Sequence, residues 1–394
     1  MRFKPVPFPS LAGALLGLLL ISPLLWAQET AITVSKGSLI PITVELFGGT
    51  GGAEATKVLE QDLKIQGFKP VSSGGKYSVR GTVGGEGVQG TLNGADGTSL
   101  ISRTFPGSLR TAVHAFADDI VLKVTGEKGI ASTRIAFVSN RTGKKEIYLA
   151  DYDGANARQV TTDKTLNVGP KLSRDGTLMV YTSYRGGFFA NVFLQRVNAS
   201  GRKQIVAFAG TNTGAEISPD NTQVALTVGK YGNPEIAIVP IDGGADTRLT
   251  NTRGAEATPS WSPDGQKIVY TSDDRGSAQL FVVGRGGGPS ERLSTGYGYN
   301  TEPNWSPRGN KVAFTTRLGG GFQIAVHDLD QKSTSVVSKS GSNESPCWAP
   351  NGRHLIFSGT AYGGKNLIIL DSLTGETLQA TRNLGECTEP SWSK

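Results

Sequence analysis

The chain has 394 residues, 53 of them glycine, with 19% charged residues and a formal net charge of +7. The basic excess is spread without Lys/Arg blocks, which argues against a nucleic-acid partner. Three histidines leave few options for a catalytic triad, and two cysteines allow at most one disulfide.

Residues 1–27 read as a secretory signal. Arg2 and Lys4 form a basic start, Leu11 to Leu25 is apolar, and Ala27 is a plausible last residue before cleavage. An uncleaved membrane anchor is the alternative, but the run is short and carries Pro23 near its end. No cysteine follows, so a lipoprotein anchor is not indicated. Loss of Arg2 and Lys4 with the leader takes the charge from +7 to +5. Residues 28–39 are too short to fold alone. The alternation in Thr30-Ala31-Ile32-Thr33-Val34 suits either a flexible tail or an add-on strand.

Residues 40–128 read as a small α/β domain. Ile42, Val44 and Leu46 alternate as on one face of a strand. Ala55, Leu59 and Leu63 recur at helical spacing, with Val58 beside them and Gly67 as the stop. Strands are expected around Tyr77, Val79 and Val83 and from Leu100 to Phe105, the latter entered through the turn Asn93-Gly94-Ala95-Asp96-Gly97. A second helix is capped by Ser108, carries Leu109, Val113, Phe116, Ile120 and Val124 on one stripe, and ends at Gly126. His114, just beside that stripe, reads as a helix-surface or packing residue.

Residues 133–394 are dominated by a repeat. Trp261-Ser262-Pro263-Asp264-Gly265 recurs as Trp305-Ser306-Pro307-Arg308-Gly309 and Trp348-Ala349-Pro350-Asn351-Gly352. Weaker copies begin at Leu172 and Ile217, and Trp392-Ser393-Lys394 is a truncated one; the lead residues are 43 to 45 apart. Each copy is followed by alternating runs such as Lys267–Ser272 and Gln279–Val283, separated by Gly/Asp-rich turns. A period of this length with four short strands per unit means a propeller blade. The Trp is expected to pack between blades. The first unit, from Ile135, lacks a Trp-led strand, and Glu389–Ser393 can supply it. The count then closes at six blades and removes the open sheet edges. The fold class is therefore mainly β: a six-bladed β-propeller, its first blade closed by the C-terminal strand, preceded by a small α/β domain.

The search for chemistry returns little. There is no Gly-x-Ser-x-Gly elbow, HExxH or Walker loop. Gly48–Gly52 stands between a strand and a helix but lacks the Gly-Lys-Ser/Thr of a phosphate loop, so it reads as a turn. His327 and His354 are isolated in strand-like segments. Cys347 and Cys387 fall on neighbouring inner strands, either as a disulfide or as two free thiols. The loops that enter the inner strands carry Glu256-Ala257-Thr258, Thr301-Glu302, Asn343-Glu344 and Thr388-Glu389. Gathered around one mouth of the channel, they could hold a cation such as Ca²⁺, form a polar recognition surface, or be solvated ends.

The repeat, its Leu249-Thr250 ending, the junction Val124-Thr125-Gly126-Glu127-Lys128-Gly129 and the following Ser132–Val138 together resemble the TolB family, the periplasmic propellers of Tol–Pal systems. The resemblance covers essentially all of the chain after the leader. It departs in a shorter, more Gly-rich α/β domain and in Leu172 and Ile217 where Trp is usual. It implies a periplasmic adaptor without catalysis or cofactor, serving outer-membrane integrity and constriction in cell division, with other outer-membrane proteins as further partners beside Pal and TolA. By place, the face for the lipoprotein Pal would be Thr211, Asn212, Ala257, Thr258, Thr301, Glu302, Asn343 and Glu344. The segment for TolA would be Gln28, Glu29, Thr30, Ala31, Ile32, Thr33 and Val34, matched by place and not by sequence. Two other readings stay open: a metal-dependent enzyme with its site in the channel, and a glycan or small-ligand binder using Tyr297 and Tyr299.

Overall fold

The computed structural model describes residues 38–393. The leader and the segment Gln28–Val34 lie outside the described residues.

The α/β domain runs β1 (Ile40–Val44), α1 (Gly52–Ile65), β2 (Phe68–Val71), β3 (Tyr77–Gly84), β4 (Gly87–Gly94), β5 (Ser99–Pro106) and α2 (Leu109–Thr125). The sheet order is β2-β1-β3-β4-β5, with β1 parallel to both neighbours and the rest antiparallel. In α1 the expected Ala55, Leu59 and Leu63 are fully buried, and the helix stops at Gly67 with φ 92°. Ser108 caps α2, its hydroxyl accepting from Thr111 N–H, and Gly126 ends it at φ 73°. The expected strand face through Leu46 is corrected: β1 stops at Val44, and Leu46 is 75% exposed. The strands β2 and β4 were not legible from pattern. The glycines of β4 are packing devices, since a Cβ at Gly90 would meet the Phe116 ring of α2 at 2.7 Å.

Six four-stranded antiparallel sheets follow. Their inner strands are Asn167–Leu172, Asn212–Ile217, Glu256–Trp261, Asn300–Trp305, Asn343–Trp348 and Cys387–Ser393. The last pairs with Arg134–Ser139, Trp392 opposite Ile135, so the C-terminal strand completes the first blade. The lead tryptophans bridge blades. Trp261 donates its backbone N–H to Glu216 Oε1 at 2.9 Å and its indole N–H to the Glu216 carbonyl at 3.1 Å. Trp348 packs with Ala313 and Ile324 of the preceding blade. Trp305 departs by donating to Gly309 of its own turn.

The Ser-Pro-Asp-Gly turn closes on itself. Ser262 donates to Asp264 at 2.5 Å and accepts from Lys267 N–H at 2.9 Å. The copies at Ser173 and Ser218 repeat this arrangement. The Ser218 and Thr222 bonds hold the Asp220 carboxyl far below its usual range.

The α/β domain is fixed to the propeller by buried polar contacts. Asp62 of α1 meets His114 Nδ1 of α2 at 2.7 Å and accepts from the Tyr152 hydroxyl of the first blade at 2.7 Å. Burial pushes the Asp62 carboxyl up. Burial alone would lower the His114 ring, but its bond to Asp62 outweighs this and holds it above its ordinary value. On the sixth blade His354 donates from Nε2 to the Ile65 carbonyl at 3.0 Å. Burial lowers that imidazole to about 4, so it is neutral. Arg353 and Asp371 form a buried pair beside it at 2.6 Å.

Candidate functional site

The inner strands converge on a central channel with two different ends. The leading end is where the inner strands begin; the trailing end carries the Ser-Pro-Asp-Gly turns. A cavity of about 220 Å³ at the leading end is lined by Ala257, Thr258, Glu302, Ser345, Glu389 and the prolines that follow. A second, of about 490 Å³, is lined at the trailing end by Trp261, Trp305, Trp348 and Trp392. Lys171 borders both.

The leading end is built by one local device repeated six times. The third residue of each inner strand takes a left-handed backbone: Gly169 (φ 60°), Gly214 (62°), Thr258 (51°), Glu302 (53°), Ser345 (56°) and Glu389 (53°). All but Gly214 precede proline. Residues before proline ordinarily stay extended, and a β-branched residue such as Thr258 rarely enters this region. Each strand shifts register at this point, as between Ala257 and Ser260. The result is a bulge that turns backbone and side chains toward the channel. Proline is tolerated because the inner strand is a sheet edge and its missing N–H faces the channel.

The sequence placed the polar residues of this end in loops. They are the first residues of the inner strands, and their side chains divide into two sets. Asn212 and Asn343 are buried, which corrects the expectation that they face a partner. Asn212 Nδ2 donates to the carbonyls of Phe208 (2.7 Å) and Ala190 (2.9 Å), and Asn343 Nδ2 to Ser340 (2.9 Å). These bonds fix the turns that lead into the strands. Thr211 is exposed, outside the cavity. Ala257, Thr258 and Glu302 are brought together in the cavity lining, while Thr301 and Glu344 lie half-buried beside it. Glu344 pairs with Lys365 at 2.9 Å.

The carboxylates are occupied by the fold. Glu302 accepts from Thr315 (2.8 Å) and, across the blade boundary, from Ser345 N–H (2.9 Å) and Oγ (2.8 Å). Glu389 accepts from Gly169 N–H of the next blade at 2.6 Å, and burial pushes its carboxyl up. Glu256 is buried beside Glu235, and desolvation first, then that neighbour, raises its carboxyl to about 7. Among the described residues these groups do not form a metal-ligand cluster. The one His/Asp cluster is His114, Asp151 and Asp153 at the domain junction. There the Arg110 guanidinium bonds Asp153 and sits 3.4 Å from His114 Nε2, taking the place a cation would need. Cys347 and Cys387 are buried free thiols. Tyr297 and Tyr299 are half-buried; Tyr297 packs in a blade core and Tyr299 against Phe322.

What sequence reasoning missed is the outer rim of the leading end. Its loops carry Arg141, Lys144, Lys145, Lys164, Arg185, Lys230, Arg253, Arg275, Lys339, Lys365 and Arg382 against Asp163, Asp273, Asp274 and Glu386. The Gly186-Gly187 hairpin tip presents Phe188 at 97% exposure and Phe189 at 56%. The run Gly-Gly-Phe-Phe inside a turn, where polar residues are usual, was the available signal.

The family model described as "TolB beta propeller domain" matches residues 121–394. The "Protein TolB homolog" of Chlorobaculum tepidum is 30% identical over 240 residues, 58% of this chain and 53% of that protein. The "Tol-Pal system protein TolB" of Anaeromyxobacter dehalogenans is 30% identical over 288 residues, 62% of this chain and 65% of that one. The matched segment thus spans between about half and two thirds of these relatives. The crystal structure of TolB from Acinetobacter baumannii superposes with a TM-score of 0.83 at 25% identity, covering 91% of this chain and 98% of that one. That likeness takes in both the α/β domain and the propeller, and the chain belongs to the TolB β-propeller family.

Proposed function

We propose that this protein is a non-catalytic periplasmic adaptor of a Tol–Pal-type envelope system, docking a Pal-type lipoprotein at the leading mouth of its propeller. The observation that carries the reading is the likeness to a TolB over both domains in the same order, with 98% of that chain covered. The leading mouth supports it physically. It is a ring of strained backbone around a small cavity, open to a protruding partner element. The charged groups that could have done chemistry there are held in bonds between blades. No helix among the described residues is long and apolar enough to cross a membrane.

The segment Gln28–Val34 is proposed as the TolA site. A short tail can be free or docked at similar free energy, so Pal binding can shift it and hide it from TolA. Such coupling is typically about 1–3 kcal/mol and must be reciprocal. Titrations of both partners in both orders test this. Deletion of residues 28–34 should abolish TolA binding and leave Pal binding intact. Independent binding of the two would remove the switch; TolA binding after the deletion would remove the site.

A further inference from the structure

The exposed apolar side chains of the propeller are not scattered. Phe188 (97%), Phe189 (56%), Leu166 (39%), Leu318 (47%) and Tyr362 (45%) all sit in or beside leading-end loops, on the first, second, fifth and sixth blades. The first two stand on one hairpin tip, and the exposure of Phe188 shows that its ring projects and is not folded back. Around this tip the cations are free to act outward. Lys144, Lys145 and Lys164 are exposed and in no ion pair among the described residues; of the neighbouring carboxylates, Asp163 is held by Arg202 at 2.5 Å and Glu146 is buried. The trailing end differs. Its turns and loops mix Asp153, Asp175, Asp220, Asp242 and Asp264 with Arg174, Arg285, Arg308 and Lys332, and show one large exposed apolar side chain, Leu373 at 39%.

One projecting Phe-Phe tip, with Leu166, Leu318 and Tyr362 spaced around the same rim and unpaired lysines beside it, matches an extended surface that is anionic outside and apolar beneath. A folded protein partner would need separate recesses for the Phe188-Phe189 tip, Leu318 and Tyr362. A bilayer supplies the complement everywhere: phosphate at the headgroups for the lysines and hydrocarbon below for the rings. We infer that the leading rim of the propeller is a contact surface for an anionic phospholipid membrane, with Phe188 and Phe189 as the inserting tip and Lys144, Lys145 and Lys164 as its electrostatic collar. The contact needs no protein partner, so it stands or falls apart from the adaptor reading.

The experiment uses the full chain without its leader and vesicles of phosphatidylethanolamine with phosphatidylglycerol, against vesicles of phosphatidylcholine. Co-sedimentation should show binding to the anionic vesicles and not the neutral ones. Raised salt should release it, because collar attraction falls off within a Debye length. The double variant Phe188→Ser, Phe189→Ser should lower the partition by about tenfold or more, and Lys144→Glu with Lys145→Glu by about tenfold. Leu373→Ser, on the trailing end, should leave it unchanged. Because both native cysteines are buried, Phe188→Cys can be labelled singly with an environment-sensitive dye, whose emission should shift to the blue on the anionic vesicles. Equal sedimentation of wild type and the double Phe variant would overturn the inference. So would a dye that shifts with an acidic protein partner but not with vesicles, which would make the rim a protein interface.

Discussion

The two ends of the propeller are made by the same strands and solve opposite problems. At the trailing end the Ser-Pro-Asp-Gly turn satisfies its own polar groups: hydroxyl to carboxylate, backbone N–H to hydroxyl, all within five residues. The tryptophan before it ties one blade to the next. Chemistry so complete leaves few free polar groups in the three copies that have it, led by Leu172, Ile217 and Trp261. At the leading end the backbone is forced into left-handed turns before proline, and the residues that do it differ from blade to blade: Gly, Thr, Glu, Ser. Shape is conserved there by strain and by bonds between blades, which frees the outer residues to vary. The lesson is that one end of the blades is closed by a turn that repeats, while the other keeps its shape with residues that differ from blade to blade.

The largest effect should come from the trailing end. Trp392 is buried, and its indole donates to Thr133 at 2.7 Å where the chain closes the ring. Trp392→Ala should cost about 3–5 kcal/mol, read as a lower denaturation midpoint. An unchanged midpoint would mean that the C-terminal strand is not what closes the first blade.

Next is Glu302, which sharpens the comparison because it lies at the leading end yet acts as a bridge between blades. It reads in the sequence as a free surface carboxylate. With three bonds accepted, two of them from Ser345, Glu302→Ala should cost about 1–3 kcal/mol. A loss no greater than that of a surface change, under about 0.5 kcal/mol, would return it to the set of free groups.

The Glu256–Glu235 pair gives a pH dependence with a definite sign. The folded carboxyl sits at about 7 against 4.5 as the ordinary value. The folded state therefore binds this proton more tightly. The contribution to stability is full below about pH 4.5 and is lost as pH rises toward and through 7. Glu256→Gln should flatten the stability profile across that window and stabilise the protein above it. A variant that melts in parallel with wild type from pH 4 to 8 would contradict the assignment.

These outcomes also show what could be read beforehand. The blade count, the ring closure and both helices were visible because each depends on a local signal: a turn motif every 43 to 45 residues, led by Trp except at Leu172 and Ile217, apolar residues at helical spacing, Ser108 and Gly126 as caps. β4 was hidden because Gly87, Gly90 and Gly94 carry no strand signal; Gly90 is required by Phe116 overhead and Gly87 by the backbone of Phe105 on the partner strand, neither adjacent in sequence. Of the site, the gathering of these residues at one mouth of the channel was legible; their place within the strands and their side-chain direction were not. Asn212 and Asn343 look like surface residues until their Nδ2 groups are seen clamping the preceding turns. The buried Asp62–His114–Tyr152 set joins residues 52 and 90 positions apart in the chain, which no spacing announces.

The smallest change in stability should bring the largest change in binding. Ala257 lines the leading cavity, is half-buried and has no side-chain hydrogen bond to lose. The most direct measurement is a calorimetric titration of a Pal-type lipoprotein's soluble domain into wild type, Ala257→Arg and the trailing-end control Asp242→Arg, whose side chain is 85% exposed. Melting temperatures of all three should agree to within the roughly 0.5 kcal/mol expected of surface changes. The account expects Ala257→Arg to lose affinity by about tenfold or more, as truncation or obstruction at the centre of an interface does, and Asp242→Arg to bind as wild type. Normal binding by Ala257→Arg with loss in Asp242→Arg would place the partner at the other end of the channel and contradict it.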